Sequence, residues 1–316
     1  MLHIRNILYP TDPSAGTNAA FPHAILFARR CDATIHVMYV EPVAGPQSAA
    51  HVVEEVVAGA SDRDYTPDAI QLRMAEIIRK FDSDNVALKY IHVEHAAPGE
   101  VLLTYSEANG IDLIVMESHC RTGVGRLFLG SVAEEMIRRA SCPVLVVRRP
   151  VEPAGPDEIS ADQNRLMVPF DFSANATQAL RYAYELAVLY DASLDVVHVI
   201  DPATHTESYV SEVAEHGKTM DLLVKETRTS LESSASEFDS RSIRASYHVL
   251  VGFPPAEIAG FAHQNGTAMI VVSSHGRTGK KSILLGSVTE HVVRHVSCPV
   301  FIARPFGKSL LHHDRV

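Results

Sequence analysis

The chain of 316 residues contains no tryptophan, only four cysteines and no apolar run long enough to cross a bilayer. The cysteines lack the paired spacing of metal ligands, so we expect reduced, buried thiols at Cys31, Cys120, Cys142 and Cys298. Positive charge is scarce as well, with 28 Lys and Arg against 38 Asp and Glu and a formal net charge of −10. This balance opposes binding to a phosphate backbone, so we expect neither a nucleic-acid nor a membrane partner.

The N-terminal sequence lacks the features of a leader. "MLHIRNILYPTD" enters a strand-like run almost at once, without the basic, apolar and small-residue regions of a signal peptide. We therefore expect a cytoplasmic protein. A composition of 46% hydrophobic and 21% charged residues is typical of an ordinary globular α/β chain.

The sequence contains an internal repeat. Segments of equal length that begin at Glu117 ("ESHCRTGVGRLFLGS") and at Ser273 ("SSHGRTGKKSILLGS") match at 16 of 32 positions without a gap. The starts of the two halves match too, with Asp12 of "PTD" corresponding to Asp171 of "PFD". A length of about twice the commonest domain size and this duplication together predict two similar domains.

Each half alternates short β-branched runs with amphipathic stretches, which predicts a parallel sheet with crossover helices. We expect an α/β fold of two tandem Rossmann-like domains, each a five-stranded parallel sheet with four helices on both faces. The predicted strands are 6–9, 34–40, 87–93, 113–116 and 144–147 in the first half, and 166–168, 194–200, 244–250, 269–272 and 300–303 in the second.

Composition places the domain boundaries. The proline-rich, acidic stretch 150–164 predicts a linker between domain 1, residues 1–149, and domain 2, residues 165–305. Residues 306–316 are expected to form a frayed C-terminal tail.

Helix signals differ between the halves. Ser173 can cap a helix that runs through Leu189, and Pro255 suits the first turn of one that ends near Gly266. In the first half, Pro22 falls where the matching helix should already be running, so that helix is predicted to start late or to kink.

The second-half loop predicts anion binding. Ligands of open parallel sheets sit beyond the carboxyl ends of the strands, where Asp171, Val199 and the stretch 273–276 are expected to converge. Gly276 and Gly286 can aim N–H groups at a phosphate by adopting positive φ, and Ser287 can cap the last helix or contact the phosphate. The spacing is not that of a Walker A motif. A tight turn and a helix cap without any ligand would use the same residues.

Each half resembles a universal stress protein domain, through "PTD" or "PFD", "SHGRTG" or "SHCRTG", "LGSV" and "SCPV". The resemblance covers nearly the whole chain and implies a tandem member of that family, with an adenine nucleotide alpha-hydrolase-like fold. One branch of the family binds ATP through glycine, two residues, glycine, nine residues, glycine and then Ser or Thr.

That pattern survives better in the second half. Ser273, Gly276, Gly286 and Ser287 keep all but its first glycine, whereas the first half has lost both loop glycines and carries Glu117 and Cys120 there. A carboxylate at the phosphate position repels an anion. The resemblance therefore implies ATP, ADP or AMP in domain 2, with or without Mg²⁺, and a degenerate site in domain 1.

The resemblance also assigns roles to individual residues. Asp171 would face the ribose or adenine, Val199 would line the adenine pocket, and Gly276, Gly286 and Ser287 would hold phosphates. Ser273 is a mild departure, because its N–H survives. The weaker counterparts in domain 1 are Asp12, Val40, Gly130 and Ser131.

Other chemistries have weaker signals. Ser118 beside His119, and Ser274 beside His275, suggest a serine hydrolase, but no nucleophile elbow surrounds either pair. "HHD" at 312–314 lacks a second group of metal ligands, so no metal site is assigned. A redox role for Cys120 competes with a simple turn.

The last strands, "CPVLVVRR" and "CPVFIAR", belong to a part of the fold that commonly pairs across domains or subunits in this family. The resemblance implies an intramolecular pseudo-dimer of the two domains, and a homodimer stays open. The leading hypothesis is a nucleotide-binding module for stress response or signalling with no catalytic residue and at most weak ATP hydrolysis. The alternatives are a dimeric stress scaffold without nucleotide and, ranked lower, a slow ATPase.

Overall fold

The computed structural model describes residues 2–12, 18–43, 50, 53–54, 68–81, 83–118, 129–148, 164–203, 220–236, 243–274, 285–304 and 308–311. The chain divides into two compact units. Unit 1 comprises residues 1–153 together with 306–316, and unit 2 comprises residues 154–305. Each unit is described by itself below, as domain 1 and domain 2.

Domain 1 is a parallel α/β sheet. Its described strands run in the order β3-β2-β1-β4-β5 and all pair in parallel. The elements are β1 (Asn6–Pro10), α1 (Phe21–Cys31), β2 (Thr34–Glu41), α2 (Ala69–Ile78), β3 (Ala87–Glu94), α3 (Pro98–Ala108), β4 (Leu113–Ser118), α4 (Ser131–Arg139) and β5 (Val144–Arg148).

Domain 2 repeats this order as β8-β7-β6-β9-β10, again with parallel pairing. The elements are β6 (Arg165–Pro169), α5 (Ala174–Tyr190), β7 (Ser193–Ile200), α6 (Met220–Ser236), β8 (Ala245–Val251), α7 (Pro254–Gln264), β9 (Met269–Ser273), α8 (Ser287–His295) and β10 (Val300–Ala303). The predicted Rossmann-like fold is confirmed, because every predicted strand exists within two residues of its expected ends.

Two strands, β4 and β10, are buried on both faces along their whole length. All six residues of β4 and all four of β10 are buried, as expected for parallel strands that have helices on each side. Burial of these β-branched runs supplies the main driving force for the fold.

Helix α1 begins late, as predicted. It starts at Phe21 with Pro22 in its first turn, where the missing N–H of proline removes no helical hydrogen bond. Its counterpart α5 starts just after Ser173, whose Oγ accepts a hydrogen bond from the N–H of Ala176 at 3.1 Å. The predicted cap at Ser173 is confirmed. Helix α5 is 17 residues long, whereas α1 is 11 residues long.

Two expectations about burial were wrong in part. Residues 308–311 pack on domain 1 instead of fraying: Leu310 is fully buried, and Leu311 forms an antiparallel bridge with Leu2. The segment "HHD" lies outside the described residues. Among the described cysteines, none of which forms a disulfide, Cys142 is buried but Cys31 and Cys298 are only half-buried, because both lie near element ends. Within the described ranges, no helix is long and apolar enough to cross a membrane.

Candidate functional site

The predicted residues of domain 2 collect at one edge of its sheet. Asp171 follows β6, Val199 lies one residue before the end of β7, and Ser273 ends β9. These three strands are neighbours in the order β7-β6-β9, so the carboxyl ends of the strands bring the three residues to a common edge. The glycine loop that holds Gly276 lies outside the described residues.

Asp171 is engaged in a turn that leads into α5. Its Oδ1 accepts hydrogen bonds from the backbone N–H of Ser173 at 3.0 Å and from Ser173 Oγ at 2.6 Å. The hydroxyl of Ser173 in turn caps α5. This relay fixes the half-buried carboxylate at the edge of the sheet.

The start of α8 is tied to the end of β9. Thr289 Oγ1 donates to the carbonyl of Ser273 at 2.7 Å, and the N–H of Gly286 donates to the carbonyl of Ser274 at 2.9 Å. Helix α8 therefore points its N-terminus at the strand end where the predicted anion loop begins. The first-turn amides of a helix have no acceptor within the helix, which makes such an end suited to phosphate.

Two details of that helix start differ from expectation. Gly286 occupies the cap position with φ −61°, so it does not use positive φ, and its N–H is engaged by Ser274. Ser287 is the first helical residue and makes no capping hydrogen bond, because the chain enters the helix one residue earlier than a serine cap requires. The hydroxyl of Ser287 thus lies at the helix end without acting as its cap.

A cavity of about 340 Å³ adjoins the same edge. It is lined by Phe172, His198, Ile200, Leu223, Glu226, Thr227 and Ser230. Phe172 directly follows Asp171, and His198 and Ile200 flank Val199 in the chain. Since side chains alternate along a strand, the cavity lies on the sheet face opposite to the side chain of Val199.

An aromatic cluster forms one wall of the cavity. The ring of Phe172 stacks edge-on against Phe170 at 5.2 Å and against His198 at 4.9 Å, and His198 Nδ1 donates to the carbonyl of Phe170 at 2.7 Å. Phe172 has φ +62°, a left-handed conformation that is rare for a bulky residue and is often found at functional sites. Sequence reasoning missed this cluster, although the aromatic residues on either side of Asp171 in "PFDF" were a usable signal.

In domain 1 a buried carboxylate lies at the corresponding edge. Glu117 is the last residue but one of β4 and is 7% exposed, and its Oε1 accepts a hydrogen bond from the N–H of Ala20, at the cap position of α1, at 3.2 Å. A carboxylate near a helix N-terminus is stabilised by the exposed amides and by the helix dipole. Glu117 therefore places a negatively charged side chain of the protein itself next to the first amides of α1.

Neighbouring side chains close this edge further. The buried hydroxyl of Tyr9 donates to Asn18 Oδ1 at 3.1 Å, and Thr11 Oγ1 donates to the same oxygen at 3.3 Å. Burial, followed by the charge of Glu117, raises the pKa of Tyr9 well above its ordinary value, so the phenol stays protonated. The ring of Phe21 packs on Tyr9 at 5.0 Å.

The other residues predicted in domain 1 keep their places in the repeat. Asp12 follows β1, Val40 lies in β2, and Gly130 and Ser131 open α4. Gly130 has φ +83°, so this glycine, unlike Gly286, does use the left-handed region that favours glycine. Ser118 and Ser274 are both buried, while Cys120, His119 and His275 lie outside the described residues.

Comparison with known proteins agrees with this architecture. The family model described as universal stress protein family matches residues 3–148 and again 163–304. The chain therefore belongs to the universal stress protein family and carries two copies of its domain.

Individual relatives support the tandem arrangement. A universal stress protein of Mycolicibacterium smegmatis is 26% identical and is matched over 95% of this chain and 97% of its own length. A single-domain universal stress protein of Methanocaldococcus jannaschii is 28% identical over 46% of this chain and 98% of its own length. The crystal structure of a universal stress protein from Archaeoglobus fulgidus shares the fold, with a TM-score of 0.59 at 18% identity over 96% of this chain and 97% of that one.

Proposed function

We propose that the protein binds an adenine nucleotide at the carboxyl edge of domain 2 and that domain 1 binds none. One observation carries the proposal. At equivalent positions, the end of β9 presents Ser273 beneath the N-terminus of α8, whereas the end of β4 presents the buried carboxylate of Glu117. The first arrangement would favour a phosphate, whereas the carboxylate of the second would repel one.

The phosphates would lie at the N-terminus of α8. The contacts of Thr289 and Gly286 hold that helix end next to the strand. With the N–H of Gly286 engaged, the first-turn amides of α8 and the hydroxyl of Ser287 are the groups that would meet the phosphates. The loop with Gly276 would supply the remaining donors, as the family pattern implies.

The nucleoside would lie at the strand ends beside Asp171 and the backbone of Val199, on the sheet face that holds the cavity beside Phe172. A volume of about 340 Å³ is at the lower end of what small-molecule pockets enclose. The ring of Phe172 offers an apolar face to a purine base, since bases stack on aromatic side chains. Asp171, fixed by Ser173, would accept hydrogen bonds from ribose hydroxyls.

Binding, rather than turnover, is the function that this arrangement favours. Asp171 Oδ1 accepts two hydrogen bonds from Ser173, which lowers its use as a base toward water. Among the described residues no group of three or more His, Cys, Asp or Glu side chains is placed to hold a metal. A Mg²⁺ ion would accordingly take most of its ligands from phosphate and water. We place the protein in the cytoplasm as a stress-response or signalling module, with its two domains as a pseudo-dimer.

The test is calorimetric titration of the purified protein with ATP, ADP and AMP, with and without Mg²⁺, after acid release has identified any nucleotide that co-purifies. We expect one site per chain. Ser273→Glu copies the residue of domain 1 and should weaken binding at least 100-fold, because its carboxylate would face the phosphates.

The matched control is Glu117→Gln, which removes the charge in domain 1 and should leave affinity and stoichiometry unchanged. Protein that neither carries nor binds any of the three nucleotides would refute the proposal and favour a scaffold. Two equivalent sites per chain would refute the assignment of domain 1. Steady ATP hydrolysis that disappears in Asp171→Ala would show that the function is catalysis and not binding alone.

A further inference from the structure

The C-terminal segment 308–311 makes specific contacts with domain 1. The carbonyl of Leu310 accepts a hydrogen bond from the N–H of His3 at 2.8 Å, and the N–H of Lys308 donates to the carbonyl of Ser141 at 2.7 Å. The side chain of Leu310 is fully buried, and Leu311 pairs with Leu2. These contacts lie at the amino-terminal edge of the sheet of domain 1, the edge opposite to the carboxyl ends of its strands.

A lysine anchors this segment. Lys308 Nζ forms an ion pair with Asp112 Oδ1 and donates to the carbonyl of Gly110 at 2.8 Å. Asp112 is 6% exposed, and its Oδ2 already accepts the N–H groups of Arg5 at 2.7 Å and Asn6 at 2.9 Å. A buried carboxylate is costly without a cation, and Lys308 supplies that cation.

The same turn in domain 2 lacks the acid. Gly110 and Gly266 are equivalent and both have positive φ, at +59° and +60°. Two residues later domain 1 has Asp112, whereas domain 2 has Ala268. Both residues donate their N–H groups to the first strand of their own domain, so the backbone is conserved while the lysine acceptor is not.

We propose that residues 308–311 form a docking peptide and that the amino-terminal edge of domain 1 is its receptor. The receptor consists of Leu2, His3, Gly110, Asp112 and Ser141. It accepts a short peptide with lysine at the first position and leucine at the third. Domain 1 is therefore completed by the far end of its own chain, independently of any nucleotide.

The experiment compares the full chain with one that lacks residues 308–316, using hydrogen–deuterium exchange read by mass spectrometry. We expect amides of residues 2–8 and 110–114 to exchange at least tenfold faster after the deletion, while β6 to β8 of domain 2 stay unchanged. A synthetic peptide of residues 308–316, added in trans, should restore protection in a saturable manner.

Point variants of the full chain keep the proposal testable if the deletion impairs folding. Lys308→Gln should accelerate exchange at 110–114 at least threefold, and Lys308→Arg, the matched control, should retain most of the protection. Unchanged exchange at the receptor after deletion would overturn the proposal, as would equal acceleration in both domains or a peptide that restores nothing.

Discussion

The carboxyl edges of the two domains share a backbone but differ in what fills them. In domain 1 the edge carries Glu117, Tyr9 and Asn18. Tyr9 donates a hydrogen bond to Asn18, and Glu117 accepts one from the N–H of Ala20 at the start of α1. In domain 2 the same edge has Ser273, an acid fixed by Ser173 and an adjoining cavity. The comparison shows that one copy of a duplicated fold has a buried structural carboxylate, Glu117, at the position where the other copy has Ser273, next to which we propose the phosphates.

A second pair of equivalent positions shows the same divergence deeper in the sheet. His36 in β2 is buried and hydrogen-bonded to the hydroxyl of Tyr105 at 2.7 Å. Its counterpart in β7, Asp195, pairs with Arg165 at 3.3 Å and with His248 at 2.9 Å. In each domain the buried polar group is satisfied by a partner side chain, as burial requires.

The largest difference in stability between the two domains should come from Glu117→Ser, which gives domain 1 the serine that domain 2 has at the equivalent position, Ser273. The N–H of Ala20 would lose its acceptor and a cavity would open, which together should cost about 2–4 kcal/mol of unfolding free energy. Urea unfolding followed by hydrogen exchange would assign the loss to domain 1. An unfolding midpoint of domain 1 equal to that of the wild type would show that Glu117 has no structural role.

Acid should weaken domain 1 through His36. Burial, with a smaller contribution from Lys89, lowers the pKa of His36 to about 4, and burial lowers the pKa of His23 to about 4 as well. The unfolded chain, with an ordinary histidine pKa near 6.5, takes up protons first, so stability falls as the pH drops from about 6.5 toward 4.

For His36 alone this loss is about 2 kcal/mol at pH 5 relative to pH 8, by proton linkage. Urea unfolding of domain 1 at the two pH values measures the dependence, and His36→Gln, which cannot titrate, should remove the contribution of His36 while that of His23 remains. A variant with the full wild-type pH dependence would place the effect elsewhere.

The smallest expected effect is a gain in the stability of domain 2. Gly260 lies within α7, and a Cβ built there meets no atom within 4 Å. Gly260→Ala should stabilise domain 2 by about 0.5–1 kcal/mol, because alanine loses less conformational entropy in a helix, and domain 1 should be unaffected. Thermal unfolding with domain-resolved exchange measures this gain, and a destabilised domain 2 would contradict it.

Sequence predicted the elements well because their signals are local. β-branched runs marked the strands, Ser173 marked a helix cap, and Pro22 marked a late helix start. Contacts between distant residues were not predictable in this way: Glu117 and Ala20 lie 97 residues apart, and nothing local indicates that they meet. For Ser287 the sequence left capping and phosphate contact open, since a serine at a helix start suits the cap and the first helical position equally; the structure excludes the cap, and the phosphate contact stays a prediction.

The candidate site was predictable in position more than in detail. The repeat and the parallel sheet put Asp171, Val199 and Ser273 at one edge, as the rule for ligand sites in such sheets requires. The contact between Phe172 and His198 was not predicted, because it depends on the left-handed backbone of Phe172. Residue propensities do not predict that conformation for a phenylalanine. The roles of Gly276 and of the remaining loop stay predictions.

The bridge between Leu2 and Leu311 also bears on the timing of synthesis. Leu2 leaves the ribosome well before Leu311, because the whole of domain 2 is synthesised between them. The site that Leu310 occupies in domain 1 therefore stays uncovered until domain 2 has been synthesised, and domain 2 is able to fold before domain 1 is complete. A nascent chain of this protein reverses the usual order in which the first domain made is the first one finished.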